Sequence, residues 1–296
     1  MQTIEHLRRQ IKSAQDLLSV VKTMKALAAV NIRHYERAVE SLAEYNRSVE
    51  MGLHILLRSQ QQPTITGGEV DATRLGAVVF GSDQGLCGQF NERIVSFAVD
   101  QMAQLTPRPD GRQVLAVGIR SAALLDEYGC VAEECLEVPG GLAGITLLVQ
   151  ELLLRLESWR LRDHREQIVL FHHRLVTGVI YQPQMVRLLP VDLNWLRQLQ
   201  TRAWPSRVLP TFSMEPERLL SALIRQHMFV NLYRACAESL ASEDASRLAS
   251  MQNAERNIED RLGELHQRYH SQRQNLITAE LLDIIGGFEA VTTANP

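Results

Sequence analysis

From Ile4 onward the apolar residues of the chain recur at alternating steps of three and four: Ile4, Leu7, Ile11, Ala14, Leu18, Val21, Ala28, Ile32, Tyr35, Val39, Leu42, Val49, Leu53 and Leu56. Only Lys25 and Asn46 break the series. A repeat held over this many turns is a heptad seam, and a seam needs a second helix to cover it. The spacing predicts one helix from Thr3, a suitable N-cap, to Arg58, ended by Gln60-Gln61-Gln62-Pro63. The covering helix is expected at the other end of the chain. No proline interrupts the stretch from Pro216 to Ile285, whose densest heptad positions are Leu248, Met251, Ile258, Leu262, Leu265, Tyr269 and Leu276. Pro216 suits the first turn of that helix, and Gly286-Gly287 is expected to stop it. At 1.5 Å per residue the two helices would be roughly 80 and roughly 105 Å long. The excess, Arg273 to Ile285, would then extend beyond its partner. Leu276, Ile277, Leu281, Leu282, Ile284 and Ile285 on that stretch imply a hydrophobic socket on another protein.

Between the helices the pattern changes period. Thr64 to Asp71, with Gly67-Gly68, reads as a linker. Short apolar runs at Leu75–Phe80, Val114–Gly118 and Val131–Val138 alternate with helical stretches at Gln89–Leu105, Ser121–Tyr128 and Leu142–Arg160. That βαβα order predicts a parallel sheet with helices on its faces. Ile168–Val176 and Val179–Leu189, separated by Thr177-Gly178, predict an antiparallel hairpin that extends it. Val191–Phe212, with Trp195, Trp204, Pro205 and Pro210, reads as an irregular return segment. The fold class expected is α/β: a long antiparallel coiled coil of N- and C-terminal helices (1–62 and 213–288) with an inserted Rossmann-like parallel domain (72–192).

A chain of 296 residues is long enough for one or two domains with a real core. Its formal net charge of −3 argues against nucleic acid as a partner. Basic residues are nevertheless concentrated on the first helix, at Arg8, Arg9, Lys12, Lys22, Lys25, Arg33 and Arg37, either as a solvated face or as a rod meeting an acidic partner. The N-terminus lacks the apolar core of a signal peptide, and no segment approaches the roughly 18 apolar residues that span a bilayer. A cytoplasmic or peripheral membrane location is expected. Cys87, Cys130, Cys135 and Cys236 have no metal-ligand spacing and read as reduced thiols, Cys130 and Cys135 as partly buried residues of one strand rather than a redox pair.

The sharpest local motif is the glycine-rich turn Phe80-Gly81-Ser82-Asp83-Gln84-Gly85-Leu86-Cys87-Gly88 between strand and helix. In a doubly wound sheet that position often cradles a phosphate. The turn matches neither nucleotide-binding pattern and holds no lysine or arginine, which favours a tight structural or contact loop. His172-His173 and Glu133-Glu134 adjoin on predicted strands and would face opposite ways, poor geometry for a metal or an acid–base pair. No acid, base and nucleophile come together, so no catalytic residue, cofactor or metal is expected. Lys25 in the seam would either fix the register or snorkel outward with Lys22 as a positive collar beside Met24. Ala235, Ala237, Ala241, Ala245 and Ala249 either permit close helix approach or merely fill the last helix.

Three blocks resemble the gamma subunit, the central-stalk rotor, of F-type ATP synthases. Val20-Val21-Lys22-Thr23-Met24-Lys25-Ala26-Leu27-Ala28-Ala29 is similar to that family's Ile-Thr-Lys-Ala-Met-Lys-Met-Val-Ala segment. Ser82 to Asn91 resembles its Asp-Arg-Gly-Leu-Cys-Gly-Gly-Phe-Asn loop. The third block runs through Glu238–Leu248, Met251-Gln252-Asn253-Ala254 and Arg273–Gly287. The resemblance covers the whole chain, more thinly from about Arg93 to Ala203, where strand order, Gln182-Pro183 and Leu188-Leu189-Pro190 carry it. Gln84 stands where the family often has a basic residue, and lysine occurs only at Lys12, Lys22 and Lys25, which suggests a divergent bacterial or archaeal branch. The chloroplast-type redox insertion is not evident.

The resemblance implies one copy of a non-catalytic rotor inside a ring of three alpha and three beta subunits, with a foot that binds the epsilon subunit and the membrane ring of c subunits. It implies that Lys22, Met24, Lys25, Glu243, Arg247, Gln274, Thr278 and Glu280 serve beta-subunit contact and coupling, Met24 lying opposite Glu243 and Arg247. Asp83, Gln84, Gly85, Leu86, Cys87 and Gly88 would form the foot loop. Pairing Met24 with Arg247 sets a register in which Ile4 meets the region of Gln267 and Leu56 meets Glu215. Two other classes stay open from the residues alone: a coiled-coil scaffold, and a nucleotide-dependent enzyme on the βαβ domain.

Overall fold

The computed structural model describes residues 3–59, 74–163, 165–204 and 208–293. The expected linker at 64–71 and the Gln60–Pro63 stop lie outside them. The elements in order are α1 (Ile4–Ser59), β1 (Leu75–Phe80), α2 (Phe90–Leu105), β2 (Arg112–Val117), α3 (Ile119–Glu127), β3 (Glu134–Leu136), α4 (Leu142–Arg162), β4 (Gln167–Thr177), β5 (Ile180–Leu189), α5 (Leu193–Thr201) and α6 (Pro216–Thr293). The chain divides into two compact units, Met1–Leu27 with Ala249–Pro296, and Ala28–Leu248.

The larger unit is built on a five-stranded sheet of order β3-β2-β1-β4-β5. β1 pairs in parallel with β2 and β4, β2 in parallel with β3, and β5 closes the edge antiparallel to β4. The strands read as continuous apolar runs because both sheet faces are covered. Val78, Phe80, Leu115, Val117, Ile168 and Leu170 form one core with α4, Tyr35 and the Met228–Ala241 stretch of α6. Leu75, Ala77, Val79, Val114, Ala116, Val169 and Phe171 form the other with α2 and α3. Gly178 makes the β4–β5 turn at φ 59°, a left-handed conformation glycine adopts without a Cβ clash. The seam residues Ala28, Ile32, Tyr35, Leu42, Val49, Leu53 and Leu56 are buried within this unit.

The return segment is not irregular throughout. Asp192 accepts a hydrogen bond from the Asn194 amide at 2.8 Å and starts α5, whose Leu196 and Leu199 pack on Val49, Leu53 and Leu57 of α1. Nearby tryptophans and prolines masked an ordinary N-cap and an i, i+3, i+6 leucine pattern. The strand expected at Val131–Val138 shrinks to Glu134–Leu136, as befits a short sheet edge, so Cys130 and Cys135 do not share a strand: Cys130 precedes it half-buried and Cys135 is exposed on it.

In the smaller unit Leu7 and Ile11 of α1 pack on Leu265 of α6, with Leu262 and Tyr269 beside them. Arg8 donates to the Tyr269 hydroxyl at 3.0 Å, while Lys22 lies 3.2 Å from Glu259, so the two segments run antiparallel. The expected register is corrected here: the long side chain of Arg8 reaches Tyr269, six residues further along α6 than the residue anticipated, while Leu7 and Ile11 share a core with Leu265. In the larger unit Tyr45 donates to Gln226 at 2.7 Å, in line with the expected pairing. The helix also runs past Gly286-Gly287 to Thr293. Each glycine costs a helix only about 1 kcal/mol, and with no proline in the two turns that follow, the pair does not end it.

Candidate functional site

The glycine-rich loop lies at the carboxyl end of β1, between β2 and β4, where strand order reverses and a doubly wound sheet would open its ligand crevice. Here its polar groups are consumed internally. The Ser82 amide donates to Asn91 Oδ1 at 3.0 Å, Asn91 returns a hydrogen bond to Ser82 Oγ at 2.8 Å, and Ser82 Oγ donates to the Gln84 carbonyl at 2.9 Å. Asp83 accepts the amides of Ile119 at 2.8 Å and Val138 at 2.7 Å, tying the starts of α3 and of the β3–α4 loop to one carboxylate. Gly81 must be glycine, since a Cβ would lie 2.3 Å from that of Ser121. Gln84 and Leu86 face outward, Leu86 at φ 63°, and Gly88 follows at φ 57°. Cys87 is buried, and burial pushes its thiol above the ordinary value.

What fills the crevice is the last helix. Every residue of α6 from Ala235 to Arg247 is buried except the half-buried Glu238, so this stretch is enclosed on all sides. Ala235, Ala237, Ala241 and Ala245 therefore serve close approach. The Ser246 hydroxyl donates to the Cys87 carbonyl and lies 3.0 Å from the Tyr181 hydroxyl on β5. Two turns earlier Glu238 meets His172 Nε2 at 2.9 Å, with Arg174 at 3.9 Å. His173 turns the other way, its Nε2 2.8 Å from the Phe90 carbonyl, and burial pushes it down to about 4. The two histidines thus serve two separate structural bonds.

Glu243 and Arg247, both expected coupling residues, meet within α6. Arg247 donates through one arm of its guanidinium to Glu243 and through the other to Asp244 at 2.6 Å. Two buried carboxylates share one cation. Burial drives Glu243 up to about 7 against the pull of Arg247, with Asp244 and Asp83 adding repulsion. Tyr35, raised to about 12 chiefly by burial, lies in the same field. Asp244 is not among the expected coupling residues and Tyr35 was expected only as a seam position, although a carboxylate beside Glu243 and three residues from an arginine is a readable sign.

In the smaller unit Lys22 and Lys25 do not form a free positive collar. Both converge on Glu255, Lys22 at 3.8 Å and Lys25 in a direct hydrogen bond, which holds the Glu255 carboxyl below its usual range. Of the two alternatives for Lys25, the register-fixing one accords with this pair. Asn46, the other seam break, bonds Glu50 on its own helix at 2.8 Å. Met24 is half-buried. Gln274, Thr278 and Glu280 are exposed, Thr278 bonding back to the Gln274 carbonyl at 2.9 Å. Leu276, Ile277, Leu281, Leu282, Ile284 and Ile285 are exposed as well, Ile284 at 68%. Glu133 lies ahead of β3 and accepts from Gln113 at 2.6 Å, whereas Glu134 pairs with Arg155 at 3.1 Å. Among the described residues, no helix is long and apolar enough to cross a membrane.

The terminal helices pair antiparallel within each unit, and the crevice of the doubly wound sheet holds one of them. A family model described as ATP synthase matches residues 3–291, and the chain belongs to that family. It is 25% identical to the ATP synthase gamma chain of Polynucleobacter asymbioticus, over 98% of this chain and 100% of that one. It is 26% identical to the gamma chain of Syntrophus aciditrophicus, over 98% and 99%. Among solved structures, the rotor of the Euglena gracilis mitochondrial ATP synthase superposes with a TM-score of 0.63 at 14% identity, over 93% of this chain and 98% of that one. The central stalk of the Tetrahymena thermophila enzyme gives 0.56 at 20% identity, over 79% and 99%.

Proposed function

We propose that this chain is the central rotor stalk of an ion-translocating F-type ATP synthase, present once per complex, which couples ion flow through a membrane ring of c subunits to ATP synthesis or hydrolysis in a ring of three alpha and three beta subunits. The observation that carries this reading is the contrast along α6. One stretch is buried within the chain at Ala235–Arg247, while another leaves six large aliphatic residues of 276–285 uncovered. A shaft needs a firm seat in its own foot and an apolar end that turns in a socket supplied by others. Differential contact lets one shaft angle favour tight nucleotide binding at one site and release at another.

In this reading the chain contributes no catalytic residue and holds no cofactor or metal; the chemistry belongs to the ring. Residues 1–62 and 213–288 form the axle and 72–192 the foot. Lys22, Met24 and Lys25, Glu243 and Arg247, and Gln274, Thr278 and Glu280 carry coupling to beta. The foot meets the epsilon subunit and the c-ring, with the loop from Asp83 to Gly88 as part of its frame. The protein then works at the cytoplasmic face of the cell membrane as a peripheral subunit.

Co-purification tests this. A tagged chain should bring down two homologous ATPase subunits in three copies each, with ATP hydrolysis in the complex and none in the chain alone. A stable lone homodimer, or hydrolysis by the chain itself, contradicts it.

A further inference from the structure

The enclosed stretch of α6 poses a mechanical problem that its composition does not solve. Ala235, Ala237, Ala241 and Ala245 let the helix approach the sheet and α1 closely, but contact between small apolar faces is non-directional and resists sliding or turning weakly. A helix held by such faces alone has a seat without a fixed register. Polar groups at defined positions supply what the alanines lack, because a hydrogen bond is lost within fractions of an ångström or a few tens of degrees.

Among the described residues two such grips join this stretch to the sheet and its glycine-rich loop, on residues eight apart in sequence, while Asp244 adds a side-chain hydrogen bond to Asn31 of α1. At Glu238 the carboxylate is held by His172 Nε2 at 2.9 Å and approached by Arg174 at 3.9 Å, both from β4. At Ser246 the hydroxyl donates to the Cys87 carbonyl of the glycine-rich loop and lies 3.0 Å from the Tyr181 hydroxyl of β5. An interval of eight residues is about 2.2 turns and about 12 Å of helix, so the two grips lie about 80° apart on one broad face. Ser242, midway between them, bonds back to the Glu238 carbonyl at 2.7 Å and adds no third grip. The loop that offers the Cys87 carbonyl is braced by hydrogen bonds: Asn91 accepts the Ser82 amide, and Asp83 accepts the amides of Ile119 and Val138, ahead of Leu86 at φ 63°.

We infer that Ser246 with Tyr181, and Glu238 with His172, are positioning residues that lock the rotational and axial register of the last helix in the sheet's ligand crevice, so that torque passes between foot and shaft without slip. The domain holds its own helix where a doubly wound sheet would hold a nucleotide. This rests on the rotor reading and adds to it where the torque-bearing joint lies.

The test uses the whole complex carrying Ser246→Ala with Tyr181→Phe, changes that delete only hydroxyls, and separately Glu238→Gln, which keeps the shape and removes the charge. ATP hydrolysis and ion pumping are measured in the same vesicles, and the torsional stiffness of the rotor is read in a single-molecule bead assay. The expected result is normal incorporation, retained hydrolysis, a lower ratio of ions pumped to ATP hydrolysed, and a softer rotor, with the loss largest when both grips are removed together. Wild-type stiffness and an unchanged pumping ratio in the combined variant would overturn the lock while leaving the rotor reading intact. Failure of the wild-type chain to join an alpha–beta complex at all would overturn the rotor reading itself.

Discussion

Two stretches of the same helix are chemically opposite to what their settings suggest at first sight. Ala235–Arg247 is the more polar and smaller in side chain, and it is buried; residues 276–285 are rich in leucine and isoleucine, and they are exposed. The difference teaches that burial here follows partners rather than hydrophobicity. The first stretch is covered within the chain: small residues fit a helix enclosed by α1, α4 and the sheet, and its charged groups are paired. In the second, Leu276, Ile277, Leu281, Leu282, Ile284 and Ile285 stay exposed among the described residues. Its aliphatic surface is meaningful only against another subunit.

The contrast predicts unequal responses to mutation. Arg247→Ala leaves Glu243 and Asp244 buried without their cation, and should destabilise the full chain by about 3–5 kcal/mol in denaturant titration. A loss below about 1 kcal/mol would mean that water reaches the cluster and that the stretch is not enclosed. Ala237→Leu comes next. Ala237 has 0% exposure, and overpacking there should cost about 1–3 kcal/mol, measured in the same way.

A smaller effect concerns pH. Burial raises Glu243 to about 7, so between its ordinary value and that figure the folded chain holds a proton that the unfolded chain has released. Its contribution is therefore favourable at low pH and is lost as pH rises toward about 7. Glu243→Gln should flatten that part of the stability profile, followed by thermal midpoints from about pH 5 to about pH 8. His173 works in the opposite direction: held down to about 4, it costs stability as pH falls below its ordinary value, and Glu243→Gln should leave that limb in place. An unchanged fall toward neutral pH in the variant would remove Glu243 from the account.

The smallest effect on the chain itself is expected from Leu281→Ala with Leu282→Ala. Both residues are more than half exposed, so stability should change by less than about 0.5 kcal/mol, while incorporation into an alpha–beta ring falls. A large destabilisation of the free chain would show that this end is covered by the chain's own residues.

Much of this architecture was legible in the residues. The seam of α1 was, because heptad positions report burial: Leu7, Ile11, Val21, Ala28, Ile32, Tyr35, Leu42, Val49, Leu53 and Leu56 are buried, and Ile4, Ala14, Leu18 and Val39 half-buried. The parallel strands were legible for the same reason, through apolar runs that serve two covered faces. The joints were less so. Ser246 meets Tyr181 from 65 positions away and Cys87 from 159, and nothing in a serine's neighbourhood announces partners so distant. Glu255 gathers Lys22 and Lys25 only once the helix register is known, and that register departed from the expected one in the smaller unit. α5 was missed although its signal was local, since Asp192 with Leu193, Leu196 and Leu199 is a capped amphipathic turn among distracting tryptophans and prolines. Gly286-Gly287 does not stop α6, because glycine weakens a helix without preventing it.

The measurement closest to the central claim is direct observation of rotation. The alpha–beta ring is fixed to a surface and a bead is attached to the chain through Cys135, an exposed thiol. On addition of ATP the bead should turn in one direction in discrete steps whose rate follows hydrolysis. A bead that only fluctuates while the complex hydrolyses ATP at its full rate would contradict the claim that this chain is the rotor.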